Sequence, residues 1–388
     1  MQKANGEKKY IYMDNAATTR IYRQVIDAMQ PYTDLRYGNP GGLYDLASEA
    51  KRAVNTSREI IADTIGCENN EIFFTSGGTE SDNWAIKGVA ELFMKDTNKP
   101  HIITTAIEHH AVLNSCEWLA GQGCSVTYVK TDKNGYVNTD DIRQAIRKDT
   151  CLISVMLANN EIGTIQDVES IGRLARDRGI LFHTDAVQAY GHIPIDVNQM
   201  NIDLMSASAH KLNGPKGIGF LYISNKLRLP PLLHGGSQER GRRAGTENVA
   251  GVVGMATAAG IHHESNYNME HVMLLRDEML SGLMDLNKKA NRHKITVNGG
   301  MDRRLPGNIN ICIEGVNAEE LVLRLGMKGI CLSTGAACTS MDEAASHVLM
   351  AIGLSGQQAK SSLRITLCED NTIDEINTVI SELDKLLV

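Results

Sequence analysis

The sequence predicts an α/β protein: a large domain with a mostly parallel seven-stranded sheet flanked by helices, plus a smaller α+β domain. Three observations carry this. Between Glu71 and Ile223, seven short apolar runs alternate with longer stretches whose apolar residues recur every three or four positions. Alternation of strand and helix calls for crossover helices on both faces of a parallel sheet. After Leu286 the rhythm changes to short strands and isolated helices, the mark of a second unit. The composition is that of an ordinary globular chain, with 42% hydrophobic and 22% charged residues among 388, which excludes collagen-like and disordered readings.

In chain order, EIFFT, HIITT, SVTYV, CLISVML, ILFHTD, DLMSAS and GIGFLYI read as the seven strands. TESDNWAIKGVAELFMK, TDDIRQAIRK and VESIGRLARDRG are helical by their spacing. From Thr246 to Leu286 the periodicity is helical again, with a polar interruption at HHESNYNME that marks a break or junction. KITVNG and NINICIE are strand-like, NAEELVLRLGMKG is a helix, ICLS and SSLRITL are strands, and TIDEINTVISELDKLLV closes the chain as a helix. The opening YIYMDNAATT belongs to one domain edge, without indicating which. The expected division is 15–258 for the large domain, and 1–14 with 259–388 for the small one.

Several function classes are disfavoured at once. Lys and Arg number 39 against 46 Asp and Glu, a net charge of −7, so nothing attracts a polyanion as a whole and no nucleic-acid partner is expected. The first ten residues are polar, and no apolar run approaches the ~18 residues of a membrane span, which implies a cytoplasmic protein without a membrane partner. The eight cysteines form no CxxC pair and no Cys/His grouping at zinc spacing, so neither a metal site nor a disulfide framework is expected. Most lie in apolar runs and read as small buried hydrophobes. Cys338 does not.

Four places carry chemistry. Ser76, Gly77, Gly78 and Thr79 join a strand to the first turn of a helix, where free N–H groups and hydroxyls suit a phosphate; alone, this pattern is more often a plain capped turn. Asp185 ends an apolar strand, where a carboxylate needs a cation or a capping role. Strand ends of open α/β sheets are also where ligands bind. Lys211 follows a strand and precedes a Gly-rich turn, flanked by Ser208 and His210. A lysine so placed is normally solvated, but a partly desolvated one suits Schiff-base chemistry. Phosphate cradle, acidic strand end and lysine, in that order, are expected of a pyridoxal 5'-phosphate enzyme.

Ten ordered blocks, MDNAATT, YGNP, TSGGTESDN, EHHAVL, NNEIGTIQ, HTDAVQ, SAHKLNGPKGIG, HGGSQERGRRAGTEN, STGAACTS and SSLRITL, span nearly the whole chain. On these the sequence resembles the cysteine desulfurases of the iron-sulfur cluster assembly type. These belong to the class V aminotransferase group, with the fold type I of pyridoxal phosphate enzymes. The resemblance implies that Lys211 attaches the cofactor and that Asp185 pairs with its ring nitrogen. It also implies that Gln188 bonds the ring oxygen and that His109 stacks on the ring and moves protons. Gly78, Thr79, Ser208 and His210 would hold the phosphate, and Thr246 would reach the phosphate of a partner subunit, making a homodimer part of the site. Asn160 and Arg364 would clamp the substrate carboxylate, with Asn15 lining that pocket. For His183 the preferred reading is a satisfied core histidine.

Cys338 lies in STGAACTSMDEAASHV, a run of small and polar residues with no apolar periodicity to bury it. The resemblance makes it the nucleophile that takes sulfur from L-cysteine, leaves L-alanine and delivers a persulfide to acceptor proteins such as an iron-sulfur scaffold. Seven residues separate Cys338 from Ser346, as in the long-loop members of the family. His109 is the candidate base for its thiol. Three departures from the family pattern are GGLYDLAS after YGNP, Asn213 at a position usually aromatic, and Ala244 where serine is common. The alternatives are a selenocysteine lyase, a non-catalytic scaffold homologue, and a thiol hydrolase built on Cys338 and a histidine.

Overall fold

A computed structural model describes residues 10–94, 99–264, 269–289, 293–334 and 345–387. It opens with a two-residue strand, β1 (Ile11–Tyr12). Seven strands then build the main sheet: β2 (Ile72–Thr75), β3 (His101–Thr105), β4 (Ser125–Val129), β5 (Thr150–Ser154), β6 (Leu181–Asp185), β7 (Leu204–Ser208) and β8 (Gly219–Ile223). Their order across the sheet is β2-β8-β7-β6-β5-β3-β4. Only β8 runs against its neighbours; the pairs from β7 to β4 are all parallel. These are the seven runs read from the sequence.

Apart from β4 at the edge of the sheet, these strands are buried on both faces, which accounts for their continuous apolar character. Successive residues feed two different cores. Phe74, Ile103, Ile153, Met205 and Phe220 join one, with Ile61, Ile65, Met255 and Ala259 from helices. Phe73, Ile102, Leu152, Leu204 and Leu221 join the other, with Trp84, Ile86 and Val89 of the helix Gly78–Met94. Period-two alternation therefore decides which side chains share a face. On β6, Phe182 belongs to the first face, so Leu181, His183 and Asp185 belong to the second.

The second unit is a three-stranded antiparallel sheet, with β10 (Asn308–Ile313) between β9 (Ile295–Val297) and β12 (Ser362–Thr366). The helices Met269–Lys289 and Ile373–Leu386 cover it through Leu275, Met279, Leu283, Ile376, Val379 and Leu383. Thr372 starts the last helix with a reciprocal cap to Glu375. The opening segment belongs here: β1 pairs in parallel with β11 (Ile330–Cys331), and Met13 is fully buried in this core.

The sequence reading passed over the helix Asp45–Ile65, which packs on the first core and is closed by Gly66 in the left-handed region at φ 69°. Half of its buried side is small residues, Ala47, Ala50, Ser57 and Ala62, which carry a weak apolar signal. The interruption at HHESNYNME does separate two helices, Val249–Glu264 and Met269–Lys289. Among the described residues no helix is long and apolar enough to cross a membrane.

Candidate active site

The carboxyl ends of the parallel strands gather the residues singled out from the sequence. The chain leaves β2 through Ser76 and Gly77 into the helix Gly78–Met94, and β6 ends on Asp185 itself. β7 ends on Ser208 and passes directly into the short turn Ala209–Lys211. His109 and Asn160 lie on the connections that follow β3 and β5. One sheet edge thus presents the cradle, the acid, the lysine and the histidine.

Lys211 Nζ donates to the backbone carbonyl of Ala17 at 2.8 Å and to that of Ala16. The Gln188 amide also donates to Ala16 O, at 2.9 Å. The motif MDNAATT therefore folds over the lysine, far from it in sequence. Asp185 is buried and its Oδ1 accepts the Val187 N–H at 2.8 Å. Desolvation raises its pKa to about 6, against the pull of that N–H and of the Lys211 ammonium.

His109 begins the helix His110–Gly121, and its Nδ1 accepts the Ala111 N–H at 3.1 Å. That bond assigns the remaining ring proton to Nε2. Burial, with the nearby Lys211 and His110, lowers its pKa to about 4, so the ring is neutral near pH 7. The consequence bears on the expectation for Cys338: the basic nitrogen of His109 is already engaged, and Nε2 is a donor. His210 is depressed to about 4 by burial and by Lys211 and Lys216, and its Nδ1 lies 3.2 Å from Thr18 Oγ1.

Arg364, on β12, reaches across from the small unit. It is buried, donates from Nη2 to Asp14 Oδ1 at 2.8 Å and from Nη1 to the Asn160 carbonyl at 3.1 Å. Its buried Nε has no partner among the described residues. Asn15 donates to Thr366 O at 2.8 Å on the same strand. With Gln188 it lines a cavity of about 40 Å³.

Thr246 is exposed, on the loop before the helix Val249–Glu264. Cys338 lies outside the described residues, so its placement is not part of this geometry. The other seven cysteines are free thiols, four of them buried. Asn213, one of the departures from the family pattern, sits at φ 60°, a conformation asparagine adopts readily. Its side chain bonds Arg20 O and His262.

Sequence reasoning missed the supporting carboxylates. Asp14 holds Arg364, and Glu108, fully buried beside His109, takes the Thr105 hydroxyl at 2.7 Å and the Met156 N–H at 2.9 Å. Arg243 grips Glu80 through two bonds, and Glu80 in turn accepts the Ser76 N–H at 2.7 Å. Each stands inside a quoted motif, but each has a partner remote in sequence: Arg364, Met156 and Arg243 respectively.

The model of the aminotransferase class-V family matches residues 11–379. The chain belongs to that family. Among curated class-V relatives, a cysteine desulfurase IscS of Methanosarcina thermophila is 48% identical over 390 residues, covering 100% of this chain and 94% of the relative. The putative cysteine desulfurase IscS 1 of Bacillus subtilis is 44% identical, over 95% of this chain and 96% of its own. Of solved structures, a NifS-like protein superposes with a TM-score of 0.90 at 37% identity, covering 98% of this chain and 99% of that one. SspA in complex with cysteine gives 0.80 at 38% identity, covering 93% and 100%.

The class-V family depends on pyridoxal 5'-phosphate, and the edge fits that group. Gly77 takes φ 149°, and a Cβ there would project to 3.5 Å from the Ser208 hydroxyl. The missing side chain keeps that space open. It is bordered by the first N–H groups of the helix at Gly78 and Thr79, which have no partner within the helix. The donors suit an anion, Asp185 a protonated ring nitrogen, and Lys211 an aldehyde.

Proposed function

We propose that this chain is a pyridoxal phosphate-dependent cysteine desulfurase that converts L-cysteine to L-alanine. The sulfur passes through a persulfide on Cys338 to acceptor proteins for iron-sulfur cluster or other sulfur-cofactor biosynthesis. The observation that carries this reading is the convergence of Lys211, Asp185 and His109 on one sheet edge, in a chain whose full-length relatives carry that activity in their names.

The bound cofactor supplies an electron sink for the pair left at the substrate's Cα. Lys211 would provide the attachment point, and its free amine would be the base for the Cα proton. Asp185 holds the ring N–H by a charge-assisted bond, and Gln188 lies three residues on to meet the ring oxygen. Gly78, Thr79, Ser208 and His210 hold the phosphate. His109, neutral and carrying its proton on Nε2, offers a ring face and a donor. Arg364 keeps its buried Nε for the substrate carboxylate, with Asn160 and Asn15 beside it.

In the sulfur step the Cys338 thiolate attacks the substrate's Sγ. An S–S bond forms, the C–S bond breaks, and its electron pair stays with carbon, which takes up a proton in place of the one the thiol lost. L-Cysteine plus enzyme thiol thus becomes L-alanine plus enzyme persulfide.

A homodimer is part of this reading. Leu35, Tyr37 and Leu43 are 71%, 71% and 102% exposed, an apolar surface that a second copy would cover, and Thr246 is exposed as a residue reaching a partner's phosphate needs to be. Seven free cysteines among the described residues fit a reducing compartment, which supports a cytoplasmic location.

The test is anaerobic turnover of L-cysteine followed by mass mapping. The Cys338 peptide gains one sulfur atom while alanine appears, and Cys338→Ser binds cysteine without gaining it. Sulfur on any other peptide, or full persulfide formation in Cys338→Ser, overturns the assignment.

A further inference from the structure

Behind Asp185 lies a polar layer that the reaction as described does not use. Ser154, His183, Asp185 and Ser206 sit on the face of the sheet that packs against the helix Gly78–Met94, and that helix contributes Asp82. All five side chains are buried, Ser154, His183 and Ser206 completely. His183 Nδ1 is 2.8 Å from Ser154 Oγ and its Nε2 is 3.1 Å from Ser206 Oγ. Asp82 Oδ1 lies 3.6 Å from the same Nε2 and has no hydrogen-bond partner among the described residues. Ser206 is also the register partner of Asp185 across β6 and β7. The histidine is thus satisfied, as expected of a core residue, but it connects a buried acid to the strand that ends on Asp185.

An unpartnered carboxylate oxygen in such a place is costly if ionised and tolerable if protonated. Among the described residues, groups from three elements act on Asp82. Asp185 and His183 face it from β6, Ser206 from β7 and Glu108 from the turn after β3; Lys211 acts on Asp185. Desolvation and then the Asp185 charge push the Asp82 carboxyl well above its usual range, with Glu108 adding and Ser206 opposing. Burial holds His183 neutral, its pKa down at about 3. Two carboxyls coupled in one dry layer cannot both ionise, and Lys211 favours charge on Asp185.

We propose that Asp82 is a positioning residue that remains a neutral acid within the His183 and Ser206 network, so that the negative charge of this layer resides on Asp185, where the cofactor's ring nitrogen meets it. This rests on the reading of Asp185 as the ring-nitrogen partner.

The experiment compares wild-type holoenzyme with Asp82→Asn, Asp82→Ala and Asp185→Asn. An infrared difference between wild type and Asp82→Asn at neutral pH should show a carboxylic-acid carbonyl band present only in the wild type. The pH midpoint of the cofactor's visible spectrum should stay with wild type in Asp82→Asn, which imitates the neutral acid. It should move by about one unit, a tenfold change in proton affinity, in Asp82→Ala, where Ser206 loses its carboxyl partner and His183 Nε2 its neighbour at 3.6 Å. In that variant kcat falls while KM for cysteine holds. Only carboxylate bands in the difference, or Asp82→Asn shifting the midpoint as far as Asp82→Ala, would overturn the proposal and leave the Asp185 reading standing. An unchanged cofactor spectrum in Asp185→Asn would overturn both.

Discussion

Along the large sheet, Lys211, Asp185 and His109 each stand within four residues of a strand's carboxyl end, whereas in the small unit Arg364 lies in the middle of β12. The first three are placed by a strand end or by the turns that follow strands, which a seven-stranded sheet holds in register. Arg364 is placed by partners that reach it from elsewhere, Asp14 from the opening segment and Asn160 from the loop after β5. On the proposed function, the contrast separates two duties. Holding and polarising a cofactor needs fixed groups on one rigid edge. On that proposal, binding a small amino acid needs a cation for its carboxylate, which Arg364 brings from the small unit.

That division can be broken by substitution. The largest effect belongs to Lys211→Ala, which removes the attachment point: alanine production should fall roughly a thousandfold or more, the scale seen when an activated nucleophile is lost. The cofactor's bound spectrum should vanish with it, and retention of that spectrum would refute the assignment. Asp185→Asn should cost on the order of 10²- to 10³-fold in kcat, about 3–4 kcal/mol of barrier. Steady-state kinetics with the cofactor in excess would check it, and a wild-type kcat would detach Asp185 from the ring.

Arg364→Lys sharpens the comparison from the other side. The lysine keeps the charge but not the planar fork, so KM for cysteine should rise roughly 10- to 100-fold, as expected for one or two charge-assisted bonds. The cofactor spectrum should not change. If it did, the small unit would be holding the cofactor as well, and the two duties would not be separate.

The smallest effect concerns stability. Glu108 is raised from 4.5 to about 8, chiefly by burial. Between those values the folded chain binds a proton that the unfolded chain has released, so its contribution is complete below pH 4.5 and is lost as pH rises through about 8. Glu108→Gln, which keeps the oxygen that accepts from Thr105 and Met156, should flatten the decline of the unfolding midpoint across that window. Urea titrations at a series of pH values would show it. An unchanged slope would mean that Glu108 is ionised in the fold.

Much of this was legible because the signals were local. Strands buried on both faces announce themselves as apolar runs, and Asp185, Lys211 and His109 stand out by ending or following them. The helix Asp45–Ile65 was passed over because alanine fills much of its buried side and gives little contrast against its polar face. The place of the opening segment depended on a parallel pairing with β11, more than three hundred residues away. The same is true of Asp14 with Arg364, and on a shorter scale of Asp82 with His183. No local pattern encodes such meetings. They arise when strand order and face alternation bring two distant turns to one layer.

One measurement bears most directly on the account: reduction of the holoenzyme with borohydride, which fixes the cofactor covalently where it is attached, followed by peptide mass mapping. The account requires the pyridoxyl mass on the peptide carrying Lys211, at the edge it shares with Asp185 and His109. The same mass on a peptide from another part of the chain, with Lys211 unmodified, would contradict it.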